Sequence, residues 1–234
     1  MTRFVLVHGA CHGAWCWRAV EAALRLRGHE TQAIDLPCRG EDHTPAREAT
    51  LAGFAERVAQ AMERPSVLVG HSFAGFPITA AAALVPDRIE QLVYVAAYVP
   101  APGRSLRDMR KAWPDQPLRG SYVMAEDGAA FTFRTELARP LFYHDCAPEI
   151  AADAAARLCP EPVAPQETPI PDTDAATALP RRYILCTEDR AIPPTFQAAM
   201  VHDWPETTVM RLATSHSPFL SKPHALAEFL YCEI

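Results

Sequence analysis

The sequence predicts an α/β architecture: a mostly parallel sheet covered by helices on both faces, with a cap inserted between its strands. Three observations predict it. Short apolar β-runs alternate with segments of helical periodicity as far as Ala96, the alternation breaks in a proline-rich stretch after Tyr98, and it resumes at Arg182. Continuous apolar strands are buried on both sides, as parallel strands between helical layers are.

The elements follow in order. Phe4–Val7 is the first strand, and Ala14–Arg27 has helical periodicity ending at Gly28 as its C-cap. Thr31–Asp35 reads as the second strand, followed by the loop Leu36-Pro37-Cys38-Arg39-Gly40. Leu51–Met62 is an amphipathic helix with Thr50 as its N-cap. Ser66–Val69 is a strand, Phe76–Leu84 a helix and Gln91–Ala96 another buried strand. Val99 to Pro180 carries clustered prolines, two short strands (Ser121–Met124, Phe131–Phe133), one helix (Ala147–Leu158) and scattered aromatics. Aromatics and a helix argue against a disordered linker, so 99–180 is read as the cap and 1–98 with 181–234 as the core. Arg182–Cys186, Thr195–Val201, Thr208–Leu212 and His224–Leu230 then read as strand, helix, strand and helix.

Composition narrows the function. A chain of 234 residues, 49% hydrophobic and 21% charged, suits one globular domain with an insertion. A net charge of −6 and the absence of a basic run argue against a nucleic-acid partner. No apolar run approaches a membrane span, and the first strand begins where a secretory signal would stand. Seven cysteines without a CxxC pair suit free thiols in a reducing compartment, so the expected location is the cytoplasm. The expected partner is a small molecule; a homodimer stays open.

The chemistry concentrates at Val67-Leu68-Val69-Gly70-His71-Ser72-Phe73-Ala74-Gly75, where an apolar strand meets an Ala-rich helix. The pattern is G-x-S-x-G with Ala74 in the fifth position, which needs a small side chain because the turn packs closely there. A serine on such a turn projects its hydroxyl from the sheet edge, with the first helical N–H groups aimed at it. It needs a base, and the base needs a carboxylate, both on loops after later strands in the order Ser, acid, His. His216 follows the last strand, on an exposed loop free to swing over the turn. The preceding strand leads into Glu188 and Asp189, either of which could be the acid, while Asp203 reads as a surface residue.

The remaining requirement is a pair of backbone donors for an oxyanion. Phe73 N–H is one, and the loop His8-Gly9-Ala10-Cys11-His12-Gly13 supplies the other, assigned to Ala10. His8 and His12 stand at i, i+4 but lack a set of further ligands, so no metal and no cofactor is expected. His71 reads as structural support. Gly9, Cys11, Trp113, Tyr122 and Phe142 are the expected pocket residues, Cys11 as wall rather than nucleophile.

Phe4 through Trp17, Asp35-Leu36-Pro37, Gly70-His71-Ser72-Phe73, Asp189 with Phe196-Gln197, and Ser215-His216 together resemble the plant methylesterase and hydroxynitrile lyase group of α/β-hydrolases, which has bacterial esterase relatives. The resemblance implies Ser72 as nucleophile, Asp189 as acid, His216 as base, and oxyanion donors at Ala10 and Phe73. The lyases of the group carry a threonine after the first loop histidine and a lysine after the catalytic one; here those positions hold Gly9 and Ser217. Without that cation, departing cyanide lacks its electrostatic partner. The reading is therefore a serine esterase acting through an acyl-enzyme on small to medium hydrophobic esters. The alternatives are lactone or thioester hydrolysis, cyanohydrin cleavage, or ligand binding without turnover on the same scaffold.

Overall fold

The computed structural model describes residues 1–232. In the first strand, β1 (Arg3–Val7), Phe4, Val5, Leu6 and Val7 are all fully buried. A 3₁₀ turn over Ala14–Trp17 precedes α1 (Arg18–Leu26), so the first α-helix starts at Arg18 rather than Ala14. The tighter turn is held by Ala14 N–H, which donates to Asp35 Oδ1 at 2.7 Å beyond β2 (Glu30–Ile34). Thr50 caps α2 (Leu51–Ala61) by accepting from Gly53 N–H. Next come β3 (Ser66–His71), α3 (Gly75–Ala82) and β4 (Ile89–Val95).

Between β4 and the next strand of the main sheet, the chain builds a separate layer. This stretch holds α4 (Leu106–Ala112), β5 (Tyr122–Met124), β6 (Ala130–Phe133) and α5 (Thr135–Phe142). It continues with α6 (Pro148–Ala156), β7 (Glu161–Pro162), α7 (Ala164–Glu167) and α8 (Asp174–Ala178). The strands form an antiparallel sheet in the order β5-β6-β7.

The one helix expected here is α6; α4, α5, α7 and α8 are additions. A capping box between Ser105 and Asp108 is the signal that marks α4. Pro140 inside α5 speaks against a helix, yet Ala138 and Phe142 bury its apolar face, with Phe142 4.6 Å from Phe133. Tertiary packing wins over local propensity there.

The chain closes with β8 (Arg181–Cys186), α9 (Pro194–Met200), β9 (Val209–Leu212), α10 (Pro218–Ser221) and α11 (Pro223–Tyr231). The six-stranded sheet has the order β2-β1-β3-β4-β8-β9, with every neighbouring pair parallel. Successive side chains alternate between faces. Val5, Val7 and Leu68 join Phe54 and Val58 of α2 and Ile78 of α3, whereas Phe4, Leu6 and Val69 join Leu24 of α1 and Leu226 of α11. Parallel pairing sends every strand's C-terminal end to one edge. There β1 pairs with β2 on one side and β3 on the other, which opens the crevice where ligands settle on such sheets. No helix among the described residues is long and apolar enough to cross a membrane.

Candidate active site

β3 ends at His71, and the chain passes through one 3₁₀ turn, Ser72–Ala74, into α3. Ser72 is held at φ 55°, a left-handed conformation that costs a residue with a Cβ about 1–3 kcal/mol. Close packing enforces it. A Cβ on Gly75 would stand 1.8 Å from the carbonyl oxygen of Tyr98, and one on Gly70 would stand 2.8 Å from Ile78 Cδ1. The tightest approach thus falls at Gly75, one residue beyond the motif's fifth position, and Ala74 fits fully buried. Tyr98 N–H donates to the Ser72 carbonyl at 3.1 Å and pins the turn to the chain leaving β4.

His216 joins the two other residues. Its Nε2 lies 3.1 Å from Ser72 Oγ, and its Nδ1 lies 2.7 Å from Asp189 Oδ2. Nδ1 faces a carboxylate and so carries the proton, leaving Nε2 to accept from the serine hydroxyl. Asp189 Oδ1 accepts from Ala191 and Ile192 N–H at 2.7 and 2.9 Å, and Oδ2 also accepts from Gln197 Nε2 at 2.9 Å. Gln197 is fully buried and is itself fixed by Cys186 N–H, which donates to its Oε1 at 3.1 Å. Four donors leave the carboxylate one orientation. Glu188 and Asp203 are exposed, the latter beside His202.

The loop of His216 departs from the expected exposed, mobile one. His216 is 3% exposed, with its ring 4.6 Å from that of His71 and 5.8 Å from that of Phe142. Its carbonyl accepts from His71 Nε2 at 2.8 Å, which gives His71 the supporting role. Burial and the neighbouring histidines push His71 well below the usual imidazole range, so it stays neutral. The end of α5 and the residues after it secure both loops. Asp145 Oδ2 accepts from Ser215 N–H at 2.9 Å, Phe142 carbonyl accepts from Ser215 Oγ at 3.0 Å, and His144 Nε2 donates to the Glu188 carbonyl at 2.9 Å. No sequence motif marks His144 or Asp145 for this work, whereas Gln197 lies in the Phe196-Gln197 block that carries the family resemblance.

The loop after β1 is equally fastened. His8 Nδ1 donates to the Gly9 carbonyl at 2.8 Å, and its Nε2 accepts from Leu36 N–H at 3.2 Å. His12 Nδ1 donates to the Ala10 carbonyl at 2.8 Å, and its Nε2 accepts from Tyr143 Oη at 2.8 Å. Burial lowers the two imidazoles to about 3 and about 4, and the i, i+4 pair holds the loop through both nitrogens of each ring. Cys11 sits at φ 59°, and its N–H donates to Glu161 Oε2 at 2.8 Å. Arg39 donates to the same oxygen at 2.5 Å and to the His12 carbonyl at 3.1 Å, so a buried ion pair clamps this loop to β7. Ala10 and Phe73, whose N–H groups are the expected oxyanion donors, both border the pocket over Ser72.

That pocket is a narrow slot. Its cavity volume is about 30 Å³. Tyr122, Phe131, Phe133, Phe142 and Ile192 are among its wall residues. Three expected wall residues lie elsewhere. Gly9 backs onto the turn, where a Cβ would stand 2.7 Å from His71 Nδ1 and 2.9 Å from Ser72 Cβ. Cys11 is fully buried with Sγ 3.8 Å from the Phe131 carbonyl, and burial pushes its thiol well up. Trp113 stacks on Phe196 at 4.5 Å and 7°, outside the slot.

A parallel sheet with a strained serine at the C-terminal edge, a histidine and a buried aspartate defines an α/β-hydrolase scaffold. The chain belongs to the alpha/beta hydrolase family, whose model it matches over residues 4–229. Among its relatives, Methylesterase 2 of Arabidopsis thaliana is 30% identical over 247 residues, covering 97% of this chain and 94% of that protein. The crystal structure of a pyrethroid hydrolase from Sphingobium faniae JZ-2 superimposes with a TM-score of 0.84 at 29% identity, covering 98% of this chain and 95% of that one. A methylesterase from Arabidopsis does so with a TM-score of 0.83 at 26% identity, covering 98% and 97%.

Proposed function

We propose that this chain is a carboxylic ester hydrolase working through Ser72, His216 and Asp189. The observation that carries the reading is the continuous hydrogen-bonded path from Ser72 Oγ through His216 to Asp189, at 3.1 and 2.7 Å. Ser72 Oγ attacks the ester carbonyl as His216 Nε2 takes its proton, and Asp189 stabilises the imidazolium. The oxyanion moves to the N–H groups of Ala10 and Phe73. His216 then protonates the leaving alcohol, and afterwards deprotonates the water that releases the acid and restores Ser72. The methylesterase and pyrethroid hydrolase relatives support an ester as substrate.

Two features favour hydrolysis over cyanohydrin cleavage. The close contacts at Gly9 exclude the threonine of the lyase pattern, and Ser217, fully buried, puts no cation beside His216. Residues 99–180 act as a cap over the slot, to whose wall α4, β5, β6 and α5 contribute Leu106, Arg110, Tyr122, Phe131, Phe133 and Phe142. Free thiols throughout the described residues support a reducing compartment, the cytoplasm. The test is release of p-nitrophenol from acetate and butyrate esters by wild type and Ser72→Ala. Turnover that vanishes in the variant is expected; equal rates in both would remove the serine mechanism.

A further inference from the structure

We infer that the slot takes esters bearing a carboxylate away from the scissile bond, and that Arg110 of α4 reads it. This rests on the esterase reading and names its substrate class. Among the described residues that line the slot, Arg110 carries the only permanent charge; the other walls are aromatic, aliphatic or neutral polar. It is half-buried, with its guanidinium 5.0 Å from the centre of the Tyr122 ring and a hydrogen bond to Tyr122 Oη. A guanidinium has five N–H donors in a planar fork. Here one meets a phenol, and no carboxylate of the described residues lies within ion-pair distance. Arg107, one turn earlier on the same helix, does have its carboxylate, in Glu167. The protein thus neutralises one arginine of α4 and leaves the other facing the substrate space.

The surroundings reinforce that charge. Two wider clefts adjoin the slot and share Arg110 with it; Arg107, Lys111 and Arg119 border them, against Asp115 and Glu167. A positive mouth on a chain of net charge −6 is a local arrangement, and it draws anions toward the slot. The planar fork also suits a carboxylate better than a lysine would. Gln166 lines the slot as well, 7% exposed, with its side chain hydrogen-bonded to Glu161.

The test compares matched esters. Monomethyl adipate against dimethyl adipate places the charge on the acyl side, and 4-acetoxybenzoate against its methyl ester places it on the alcohol side. A hydrogen-bonded charge contact contributes about 1.5–3 kcal/mol, so Arg110→Gln should lower kcat/KM for the charged member of at least one pair about 10- to 100-fold. The neutral members should change less than about threefold, and Arg110→Lys should recover part of the loss. A second measurement needs no variant: wild-type kcat/KM for that charged ester should fall as salt rises from low ionic strength, while the neutral ester's stays level. Turnover of the neutral esters with no charge preference, no salt dependence and no selective effect of Arg110→Gln would overturn the carboxylate reading and leave the esterase intact. Failure to cleave any ester, p-nitrophenyl acetate included, would instead overturn the esterase reading and this inference with it.

Discussion

Replacing Asp189 by Asn removes one charge and swaps one acceptor atom for a donor, and the geometry dictates how the site responds. The amide oxygen goes to the Oδ1 position, where it keeps the N–H bonds from Ala191 and Ile192 at 2.7 and 2.9 Å. The amide nitrogen then occupies the Oδ2 position, 2.7 Å from His216 Nδ1 and 2.9 Å from Gln197 Nε2, two atoms that now donate to it. His216 accommodates this by moving its proton to Nε2, the nitrogen 3.1 Å from Ser72 Oγ. A protonated Nε2 cannot take the serine's proton. The kcat should fall by up to ~10⁴-fold, about 5 kcal/mol of transition-state stabilisation. Gln197, fully buried, loses one acceptor, which costs about 1–3 kcal/mol of stability. The assay is p-nitrophenyl butyrate turnover beside urea unfolding, with Glu188→Gln as the control. A folded Asp189→Asn enzyme within about tenfold of wild type, or a collapse in Glu188→Gln instead, would refute the reasoning.

Three further outcomes are expected. Burial holds His8, His12 and His71 neutral in the fold, whereas in the unfolded chain each takes a proton as pH drops below about 6.5. Their contribution to stability is therefore complete above that pH and is lost as pH falls toward 4, by about 2 kcal/mol per histidine at pH 5. Urea midpoints that stay level from pH 7.5 to 5 would contradict this. Gly75→Ala puts a methyl group 1.8 Å from the Tyr98 carbonyl oxygen and should destabilise by at least about 3 kcal/mol, read as a lower Tm. A Tm within 2–4 °C of wild type, about 1 kcal/mol, would show that the turn yields. Ser72→Gly relieves the φ 55° conformation and should raise stability by about 1 kcal/mol while abolishing turnover, separating strain from chemistry; an unchanged or lower urea midpoint would mean that the turn stores no strain.

Much of the scaffold was legible because it is written in local strings. Apolar runs such as Phe4–Val7 and Ser66–Val69 mark strands buried on both faces, and they are fully buried here. The G-x-S-x-G pattern marks the turn at Ser72, and the placing of Asp189 and then His216 after later strands follows from the same reading. That Asp189 and not Glu188 meets His216 needed the family resemblance in the sequence and the loop's backbone path in the fold. Cap helices α4, α5, α7 and α8 lie outside that reading: α4 is marked only by its capping box, α5 holds a proline against its apolar packing, and α7 and α8 are four and five residues long.

The sequence by itself determined the α/β rhythm, the strand-end serine and the candidates for base and acid, because periodicity and turn chemistry act over a few residues. Tertiary structure alone decided which residues surround them. Trp113 and Cys11 look like pocket residues as types, yet stacking on Phe196 and burial against Phe131 take them elsewhere. The Arg39–Glu161 clamp and the support from His144 and Asp145 join residues far apart in the chain. Such contacts arise when separate elements pack, and no local pattern encodes them. The substrate slot, with Arg110 facing it, comes from the same packing.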